Sequence, residues 1–435
     1  MIRFIYNLLW PLGLLFFLPG YFTKMLRRGG YREKFGQRLG IYDRRLRARL
    51  SKQRSTWLHA VSVGEVNVAL KLANALRTHE PDLHCALTTT TTTGFALARK
   101  NAPLWIEVMY TPLDYWPIMR RAFSFIRPVR IVLVEAEIWP NLAAEAHARR
   151  IPLALVNARL SARSERRYRQ FRFFIAPTFR LLDLVCVPEK EDAKRWAALG
   201  VSQDRIRLTG SIKYDPAGLD QVAEIQETAH PVSLNHLEPE SPVLFGGSTH
   251  RGEEEVLANI FLRLRQQFPS LRLFIAPRHV ERLREIRAQF GALPMRVALA
   301  SEVVRQLPGE SDADCIILDT TGDLHRWYAI ATIVFMGKSL TARGGQNPVE
   351  PIIAGKPVVF GPHMENFATL AKALVLKKGA IQVPDMDSLE LTIAELLHDR
   401  EACQRLVQRA REVLSEHQGA TARTAALIHD LNPSL

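Results

Sequence analysis

The sequence has few cysteines and no familiar metal-binding pattern. Cys85, Cys186, Cys315 and Cys403 are its four cysteines, far apart and without a CxxC pair, a usage typical of a reducing compartment. The histidines never pair with cysteines or with one another at ligand spacing, and HExxH is missing. We therefore expect no metal and no cofactor.

Other catalytic signatures are also missing. There is no GxGxxG and no GxSxG, and the MGKSL segment around Lys338 is not a P-loop, because the first glycine of that pattern would fall at Thr332. No DxD-type acidic pair follows a predicted strand, which argues against a metal-dependent sugar-nucleotide mechanism. Aromatic residues are not interleaved with basic ones, so we expect no nucleic-acid partner.

Length and charge describe a basic protein with room for two domains. The chain has 435 residues, 47% of them hydrophobic, and a net charge of +14 from 58 basic and 44 acidic residues. A surplus of this size fits nucleic acid, an anionic membrane surface or a phosphorylated substrate.

The N-terminus favours a membrane among these partners. Residues Phe4 to Phe22 are almost wholly apolar, close to the roughly 20 residues that a spanning helix needs. We predict a single span or shallow anchor with the catalytic body in the cytoplasm. The alternative is a hydrophobic hairpin that packs on the protein itself, since Pro11 and Pro19 interrupt the run. A basic collar follows: Lys24, Arg27, Arg28, Arg32, Lys34 and Arg38.

After the anchor, short apolar runs alternate with helical patterns, which is typical of doubly wound parallel sheets in an α/β protein. Acidic, proline-containing sequence interrupts this pattern and predicts an interdomain linker. We predict an anchor and basic juxtamembrane segment at 1–40, an N-terminal Rossmann-like domain at 41–211, a linker at 212–242 and a C-terminal Rossmann-like domain at 243–435. The two domains are expected to face each other across a cleft, and the last helical stretch, about Asp399 to Leu431, to pack back on the first.

The strand predictions divide between the two domains. Ligands in such sheets bind at the carboxyl ends of strands, so the loops that follow them are the candidate sites. The predicted strands are Trp57–Val61, Leu83–Thr88, Trp105–Tyr110, Arg130–Glu135, Pro152–Asn157, Leu184–Val187 and Ile206–Thr209, then Val243–Gly247, Leu271–Ala276, Cys315–Asp319, Thr332–Met336 and Pro357–Phe360.

Two acidic motifs follow strands of the first domain. In HAVSVGE, Glu65 lies after a strand and a glycine turn, where it is either a general base or a first-turn acid that stabilises the helix dipole. In VEAEIWPN, Glu135 and Glu137 are expected to share one face of a strand. One of them is expected to pair with a basic residue such as Arg159 or Arg163, and the other to tune the catalytic base or stabilise positive charge in the transition state.

The most informative stretch is TARGGQNPVEPIIAGKPVVFGPHMENF, from Thr341 to Phe367. Two glycines open a loop, and Asn347 to Glu350 are predicted to begin a helix with Pro348 in its first position. Such a helix start suits a phosphate, and Glu350 could accept hydrogen bonds from two ribose hydroxyls. The alternative is a glycine-capped loop without a ligand.

Further loops offer polar groups for an anion. LTGSIKYD places Lys213 near the linker, where it either meets a phosphate or carboxylate or is a solvated charge. APRH puts Arg278 at a strand end, where a bidentate grip on phosphate is natural, and DTTGDL makes another glycine turn after a strand. GGSTHRGEEE is expected to be strand, turn and helix with Ser248 or Thr249 as the cap.

In this order and together, these motifs resemble one family, the 3-deoxy-D-manno-octulosonic acid (Kdo) transferases of lipopolysaccharide synthesis. The resemblance covers nearly the whole chain and implies a GT-B glycosyltransferase fold. It implies transfer of Kdo from CMP-Kdo to the lipid A precursor (lipid IVA) at the cytoplasmic face of the inner membrane, without a metal. The remaining segments that carry it are NARLSARS, TGSIKYD, STHRGEE, PRH and GPHMENF.

The resemblance also implies roles for residues. Glu65 matches the general base of the family, and Glu135 and Lys213 match positions that stabilise the transition state. Gln346 stands where the family often has His, and Pro351 where Ala is commoner. Two alternatives stay open: another membrane-associated GT-B enzyme with a UDP-sugar donor, and a membrane-tethered basic scaffold. The implied CMP contacts are Pro277, Arg278, Thr321, Gly322, Asp323, Asn347, Pro348, Val349 and Glu350.

Overall fold

A computed structural model describes most of the chain: residues 3–10, 13, 34–135, 138–160, 162–215, 241–303, 313–320 and 324–431. Most of the predicted anchor and of the predicted linker lies outside the described residues, as does Glu137. No helix within these ranges combines the length and the apolar run that a bilayer crossing needs. The described residues of Met1–Ala217 and His417–Leu435 form one compact unit, unit 1, and those of Gly218–Glu416 form unit 2.

Unit 1 contains a parallel sheet of seven strands. They are β1 (Ser55–Ala60), β2 (Cys85–Thr89), β3 (Ile106–Tyr110), β4 (Pro128–Val134), β5 (Leu153–Val156), β6 (Leu184–Val187) and β7 (Ile206–Leu208). The order across the sheet is β3-β2-β1-β4-β5-β6-β7. Connections therefore diverge between β1 and β4, which is the topological switch point at which such sheets bind ligands.

Helices connect these strands and cover both faces of the sheet. In chain order they are α1 (residues 3–10), α2 (Phe35–Arg38), α3 (Arg44–Lys52), α4 (Val63–His79), α5 (Thr92–Asn101), α6 (Trp116–Ile126), α7 (Pro140–Ala148), α8 (Ala162–Gln170), α9 (Arg172–Phe179) and α10 (Lys190–Ala198), with a 3₁₀ turn at Gln203–Arg205.

Because helices cover both faces of this sheet, the sequences of its strands are largely apolar. Trp57 and Leu58 are neighbours in β1, point to opposite faces and are buried in different hydrophobic clusters. A strand with two buried faces reads as a continuous apolar run, and this pattern made the strands predictable.

Unit 2 contains a second parallel sheet of seven strands. They are β8 (Val243–Thr249), β9 (Arg272–Pro277), β10 (Val297–Leu299), β11 (Cys315–Ile317), β12 (Ile333–Met336), β13 (Val358–Phe360) and β14 (Ile381–Gln382). The order is β10-β11-β9-β8-β12-β13-β14. Its switch point lies between β8 and β12, which pair in parallel.

The helices of unit 2 complete the second α/β layer structure. They are α11 (Glu253–Leu264), α12 (Leu283–Phe290), α13 (Ala300–Val303), α14 (Leu324–Trp327), α15 (Val349–Ile353), α16 (Ala368–Leu376), α17 (Met386–His398) and α18 (Arg400–Ser415), with 3₁₀ turns at Val280–Arg282, Tyr328–Ile330 and Glu365–Phe367.

Every predicted strand overlaps an observed one. The pattern missed β10 and β14, which are short strands at the two edges of the second sheet. Neither is fully buried, so neither carries the apolar run that marks the central strands.

The predicted last helical stretch is divided into two helices. α18 belongs to unit 2, whereas α19 (Ala420–His429) packs on α4 in unit 1. The break falls at Gly419, whose φ of 73° is a left-handed conformation that suits glycine. The Asp215 carboxylate accepts the N–H groups of Gly419 at 2.9 Å and Thr421 at 2.7 Å, which fixes the start of α19.

Candidate active site

Glu65 lies in the first turn of α4, directly after the central strand β1. Ser62 is the N-cap residue, and its hydroxyl donates to Glu65 Oε1 at 2.8 Å while Val61 N–H donates to Glu65 Oε2 at 2.8 Å. Ser62 Oγ also accepts the Glu65 N–H at 3.4 Å, so these bonds form a variant of the capping box in which the carboxylate accepts the N–H of Val61, the residue before the cap. The Glu65 side chain is therefore buried and fixed. Each carboxylate oxygen keeps a second lone pair for a substrate hydroxyl.

Glu135 lies on the other side of the switch point, directly after β4. Its φ is 62°, so the chain turns at Glu135 and the residue does not extend the strand as predicted. Burial raises the pKa of the Glu135 carboxyl, and the charge of Glu65 raises it further, whereas Lys213 and Arg159 lower it. Glu65 and Glu135 thus share one electrostatic environment.

Lys213 reaches the same place from the far edge of the sheet. After β7 the chain returns along the carboxyl ends of the strands, where Ser211 Oγ donates to Asn157 Oδ1 at 3.1 Å and Ile212 is buried in the core. Burial lowers the pKa of the Lys213 ammonium, and the charge of Glu135 opposes that shift. The structure therefore brings Glu65, Glu135 and Lys213 together at one end of one sheet.

Arg159 is a further charged member of this cluster. It is half-buried, its Nη1 donates to Tyr214 Oη at 3.4 Å, and its charge lowers the pKa values of both Glu135 and Lys213. Sequence reasoning treated Arg159 as a partner for an acid. The sequence did not predict that Arg159 lies near Lys213, because no local pattern indicates the path of the segment that follows β7.

In unit 2, a buried glutamate organises the loops at the switch point. The Glu253 carboxylate accepts four backbone N–H groups, from His250 at 2.8 Å, Lys338 at 2.7 Å, and Ser339 and Leu340 at 3.0 Å each. The loop after β12 is thereby tied to the start of α11. The predicted cap at Ser248 or Thr249 was wrong: Gly252 is the N-cap, with φ of 90°.

The glycine pair that follows is required by close contacts. Gly344 has φ of 125°, and a side chain there would meet Lys338 Nζ at 3.3 Å. Gly345 has φ of 70°, and its Cβ would lie 2.5 Å from Met364 Sδ. Gly344 N–H donates to Glu365 Oε2 at 2.7 Å, so the loop is held closely against the 3₁₀ turn at 365–367.

The predicted nucleotide segment begins α15, a helix of five residues. Pro348 is its N-cap, one position earlier than predicted. Asn347 Oδ1 accepts the Val349 N–H at 3.2 Å and Asn347 Nδ2 donates to Glu350 Oε1 at 3.3 Å. The Val349 N–H, a first-turn donor that was expected to meet phosphate, is therefore already bonded within the protein.

Tyr328 lies near this helix. Deep burial raises the pKa of the Tyr328 hydroxyl, and the charge of Glu350 raises it further.

Basic side chains collect near these loops. Pro277 ends β9, and the next residue, Arg278, has an exposed side chain and a backbone N–H that donates to Thr249 O at 3.0 Å. Burial and the charges of Lys338 and His279 lower the pKa of His250. Positive charge of this kind suits an anionic ligand. The predicted contacts Thr321, Gly322 and Asp323 lie outside the described residues.

Comparison with known proteins decides the family. Residues 33–216 match the sequence model of the 3-deoxy-D-manno-octulosonic-acid transferases (kdotransferases). A 3-deoxy-D-manno-octulosonic acid transferase of Haemophilus influenzae is 32% identical over 400 residues, which cover 92% of this chain and 91% of that protein. The chain belongs to the Kdo transferase family. An enzyme of the same description from Bordetella pertussis is 32% identical over 416 residues and 93% of both chains.

Solved structures agree on the fold of this Kdo transferase family member. MurG of Acinetobacter baumannii superposes with a TM-score of 0.54 at 14% identity, over 87% of this chain and all (100%) of that one. A UDP-GlcNAc 2-epimerase of Neisseria meningitidis gives 0.54 at 12% identity, over 86% of this chain and 100% of that one. With its two parallel-sheet α/β units, the chain has the GT-B fold.

Proposed function

We propose that this protein transfers Kdo from CMP-Kdo to a hydroxyl of the lipid A precursor lipid IVA, with inversion at the anomeric carbon and without a metal. The observation that carries the proposal is the cluster of Glu65, Glu135 and Lys213 at the switch point of unit 1, in a chain whose full-length relatives are named Kdo transferases.

Glu65 is the proposed general base. The acceptor hydroxyl gives its proton to a Glu65 carboxylate oxygen while its own oxygen attacks the anomeric carbon of Kdo, and the bond from that carbon to the CMP phosphate breaks in the same step. The two hydrogen bonds from Val61 N–H and Ser62 Oγ aim the carboxylate before substrate arrives, so no reorganisation is needed during the reaction.

Glu135 and Lys213 are the proposed transition-state groups. The sugar gains positive charge and the departing phosphate gains negative charge as the bond to CMP breaks, so a carboxylate and an ammonium are both useful. The charge of Lys213 lowers the pKa of Glu135 and the charge of Glu135 raises the pKa of Lys213, so each group opposes the effect of burial on the other.

Unit 2 is the proposed donor-binding unit. Arg278 and the neighbouring basic side chains would hold the CMP phosphate, while Glu350 would accept hydrogen bonds from the ribose hydroxyls. Asn347, Pro348 and Val349 place Glu350 through the Asn347 bonds described above. Pro277 and the 321–323 turn complete the proposed contacts.

The domain limits and the membrane association also remain proposals. They are an anchor and basic juxtamembrane segment at 1–40, an acceptor-binding domain at 41–211, a linker at 212–242 and a donor-binding domain at 243–435. The anchor would hold the protein on the cytoplasmic leaflet of the inner membrane, where an acylated acceptor resides. The apolar run and the basic collar in the sequence support this location.

The test is transfer with purified full-length protein. Incubation with CMP-Kdo and a tetraacylated lipid A precursor, followed by mass spectrometry, is expected to show addition of Kdo to the precursor. Binding isotherms for CMP and UDP run in parallel distinguish the donor class. Saturable binding of CMP and weak binding of UDP are expected; tight UDP binding with no response to CMP would contradict the proposal.

A further inference from the structure

Three exposed phenylalanines cluster where α8 meets α9. Phe171, Phe173 and Phe174 are 47%, 68% and 50% exposed, and the rings of Phe173 and Phe174 are 5.4 Å apart. The opposite face of α9 is fixed in the core by Phe179, which contacts Trp196. The phenylalanines therefore face solvent on a helix whose other side is packed in the core. An exposed apolar patch of this kind is typical of an interaction site.

Arginines flank these phenylalanines along α8 and α9. Arg166, Arg167 and Arg172 are exposed, and no ion pair is found for any of them among the residues that the structure describes. Arg169 pairs with Glu165 at 3.7 Å and is itself 62% exposed at the side chain. Exposed aromatic rings and exposed arginines on the same two helices match the chemistry of an anionic lipid surface, which offers acyl chains beneath phosphate groups.

A second group of exposed apolar side chains belongs to α1, which contacts α7. In α1, Phe4, Leu8 and Leu9 are exposed, and the helix is bonded to α7 through Arg3 Nε and Asn141 Oδ1 at 3.0 Å. α9 also contacts α7. α7 is therefore a common neighbour of α9 and of the helix that begins the predicted anchor.

We propose that the α8–α9 surface, formed by Phe171, Phe173, Phe174 and the arginines 166, 167 and 172, docks on an anionic lipid bilayer as a contact separate from the N-terminal anchor. The inference deepens the membrane association of the proposed function and rests on it. α8 follows the carboxyl end of β5, which is also the sheet end at which the Glu65 cluster lies.

A site-specific probe tests the docking. Because the four native cysteines are buried, a cysteine introduced at the surface can be labelled selectively with an environment-sensitive fluorophore. Full-length Phe173→Cys protein is reconstituted in vesicles of phosphatidylglycerol and phosphatidylethanolamine, or of phosphatidylcholine alone, with brominated acyl chains as quencher. Leu104→Cys, at an exposed position between α5 and β3, is the matched control.

The label at 173 is expected to shift to the blue and to be quenched in anionic vesicles, while the label at 104 stays in water. A label at 173 that remains in water in both vesicles overturns the proposal, as does equal quenching in phosphatidylcholine. Shielding that appears without vesicles and grows with protein concentration would show a second copy on this surface and would also contradict it.

Charge reversal gives an independent measurement. Arg166→Glu with Arg167→Glu is expected to lower the quenched fraction of the label at 173 by about tenfold, because both arginines are attracted to lipid phosphate. Arg284→Glu with Arg409→Glu, at exposed positions of unit 2, should leave it unchanged. Kdo transfer to a detergent-dispersed acceptor is measured on the same variants, so that loss of docking and absence of the proposed activity are separate results. An unchanged quenched fraction in the first variant overturns the role given to the arginines.

Discussion

Ser62 and Glu65 cap helix α4 reciprocally: the Ser62 hydroxyl donates to Glu65 Oε1 at 2.8 Å and accepts the Glu65 N–H at 3.4 Å. The same carboxylate is thus both a stabilising helix cap and the proposed base. These were alternative interpretations of the sequence, and the geometry makes them compatible, because a cap uses only part of the acceptor capacity of a carboxylate.

Removal of the Ser62 hydroxyl should affect both functions of this carboxylate. We expect Ser62→Ala to lower the free energy of unfolding by about 1 kcal/mol and also to lower the rate of Kdo transfer, since Glu65 loses a bond that orients it. Urea unfolding and initial rates measure the two effects. Asp43→Ala removes the cap of α3 instead and should reduce stability with no change in rate. Equal rates in the two variants would contradict the orienting role.

The charge of Lys213 should appear in the pH dependence of the reaction. Burial and the charge of Glu65 raise the pKa of Glu135, and Lys213 lowers it. Replacement of Lys213 by Met removes that counter-effect, so the Glu135 pKa rises further. If transfer requires ionised Glu135, the acid limb of the pH profile of kcat moves to higher pH in Lys213→Met. The maximal kcat also falls, because the proposed transition-state ammonium is lost. Lys190→Met, at an exposed position, should keep the wild-type profile. An acid limb that stays in place removes Glu135 from the mechanism.

His59 should make the folded state sensitive to acid. It is fully buried in β1, where its Nδ1 lies 3.1 Å from Thr88 Oγ1, and burial lowers its pKa from 6.5 to about 4. The unfolded chain therefore binds the proton more readily, so the stability contribution is full above the unfolded pKa and is lost as pH falls toward the folded one.

From about pH 7 to about pH 5, we expect wild-type protein to lose roughly 2 kcal/mol more unfolding free energy than His59→Gln, which cannot titrate. Denaturant unfolding at the two pH values provides the measurement. His147→Gln, at an exposed position of α7, should lose as much as wild type. Parallel losses in wild type and His59→Gln would show that His59 does not titrate in this way.

The Glu253 carboxylate is expected to be indispensable to unit 2. An amide in its place offers one acceptor oxygen and turns an NH₂ group toward backbone donors, so several of the four N–H groups lose their partner. Glu253→Gln should lower the unfolding free energy by about 3 kcal/mol or more and weaken CMP binding, because the loop from Lys338 to Leu340 is released. Thermal unfolding and calorimetric titration with CMP test this. Glu255→Gln, at an exposed position in the same helical turn, is the control. Equal unfolding free energies and equal CMP affinities in the two variants would contradict the role given to Glu253.

The central strands were predictable because the apolar run that marks each of them lies within the strand's own sequence. A strand such as β4, buried on both faces, needs a continuous apolar run, and helix starts such as Ser62–Glu65 have a short signature. Both sheets and the position of Glu65 at a helix start therefore followed from the sequence.

The remaining features depend on distant parts of the chain. Gly252 caps α11 because Glu253 must meet the loop of Lys338, which is 85 residues away in sequence. The break at Gly419 depends on the Asp215 carboxylate, 204 residues earlier. Arg159 joins Lys213 only because the chain returns from β7 across the sheet. No local sequence pattern predicts contacts between residues that lie so far apart in the chain.

The rate of Kdo transfer by Glu65→Gln tests the central claim most directly. Glu145→Gln is the matched control, since both glutamates are 7% exposed and both lie in helices of unit 1. The proposed base predicts a fall in kcat of about a hundredfold or more in Glu65→Gln, with CMP affinity and fold retained, and a near wild-type kcat in Glu145→Gln. Wild-type kcat in a folded Glu65→Gln protein would contradict the account.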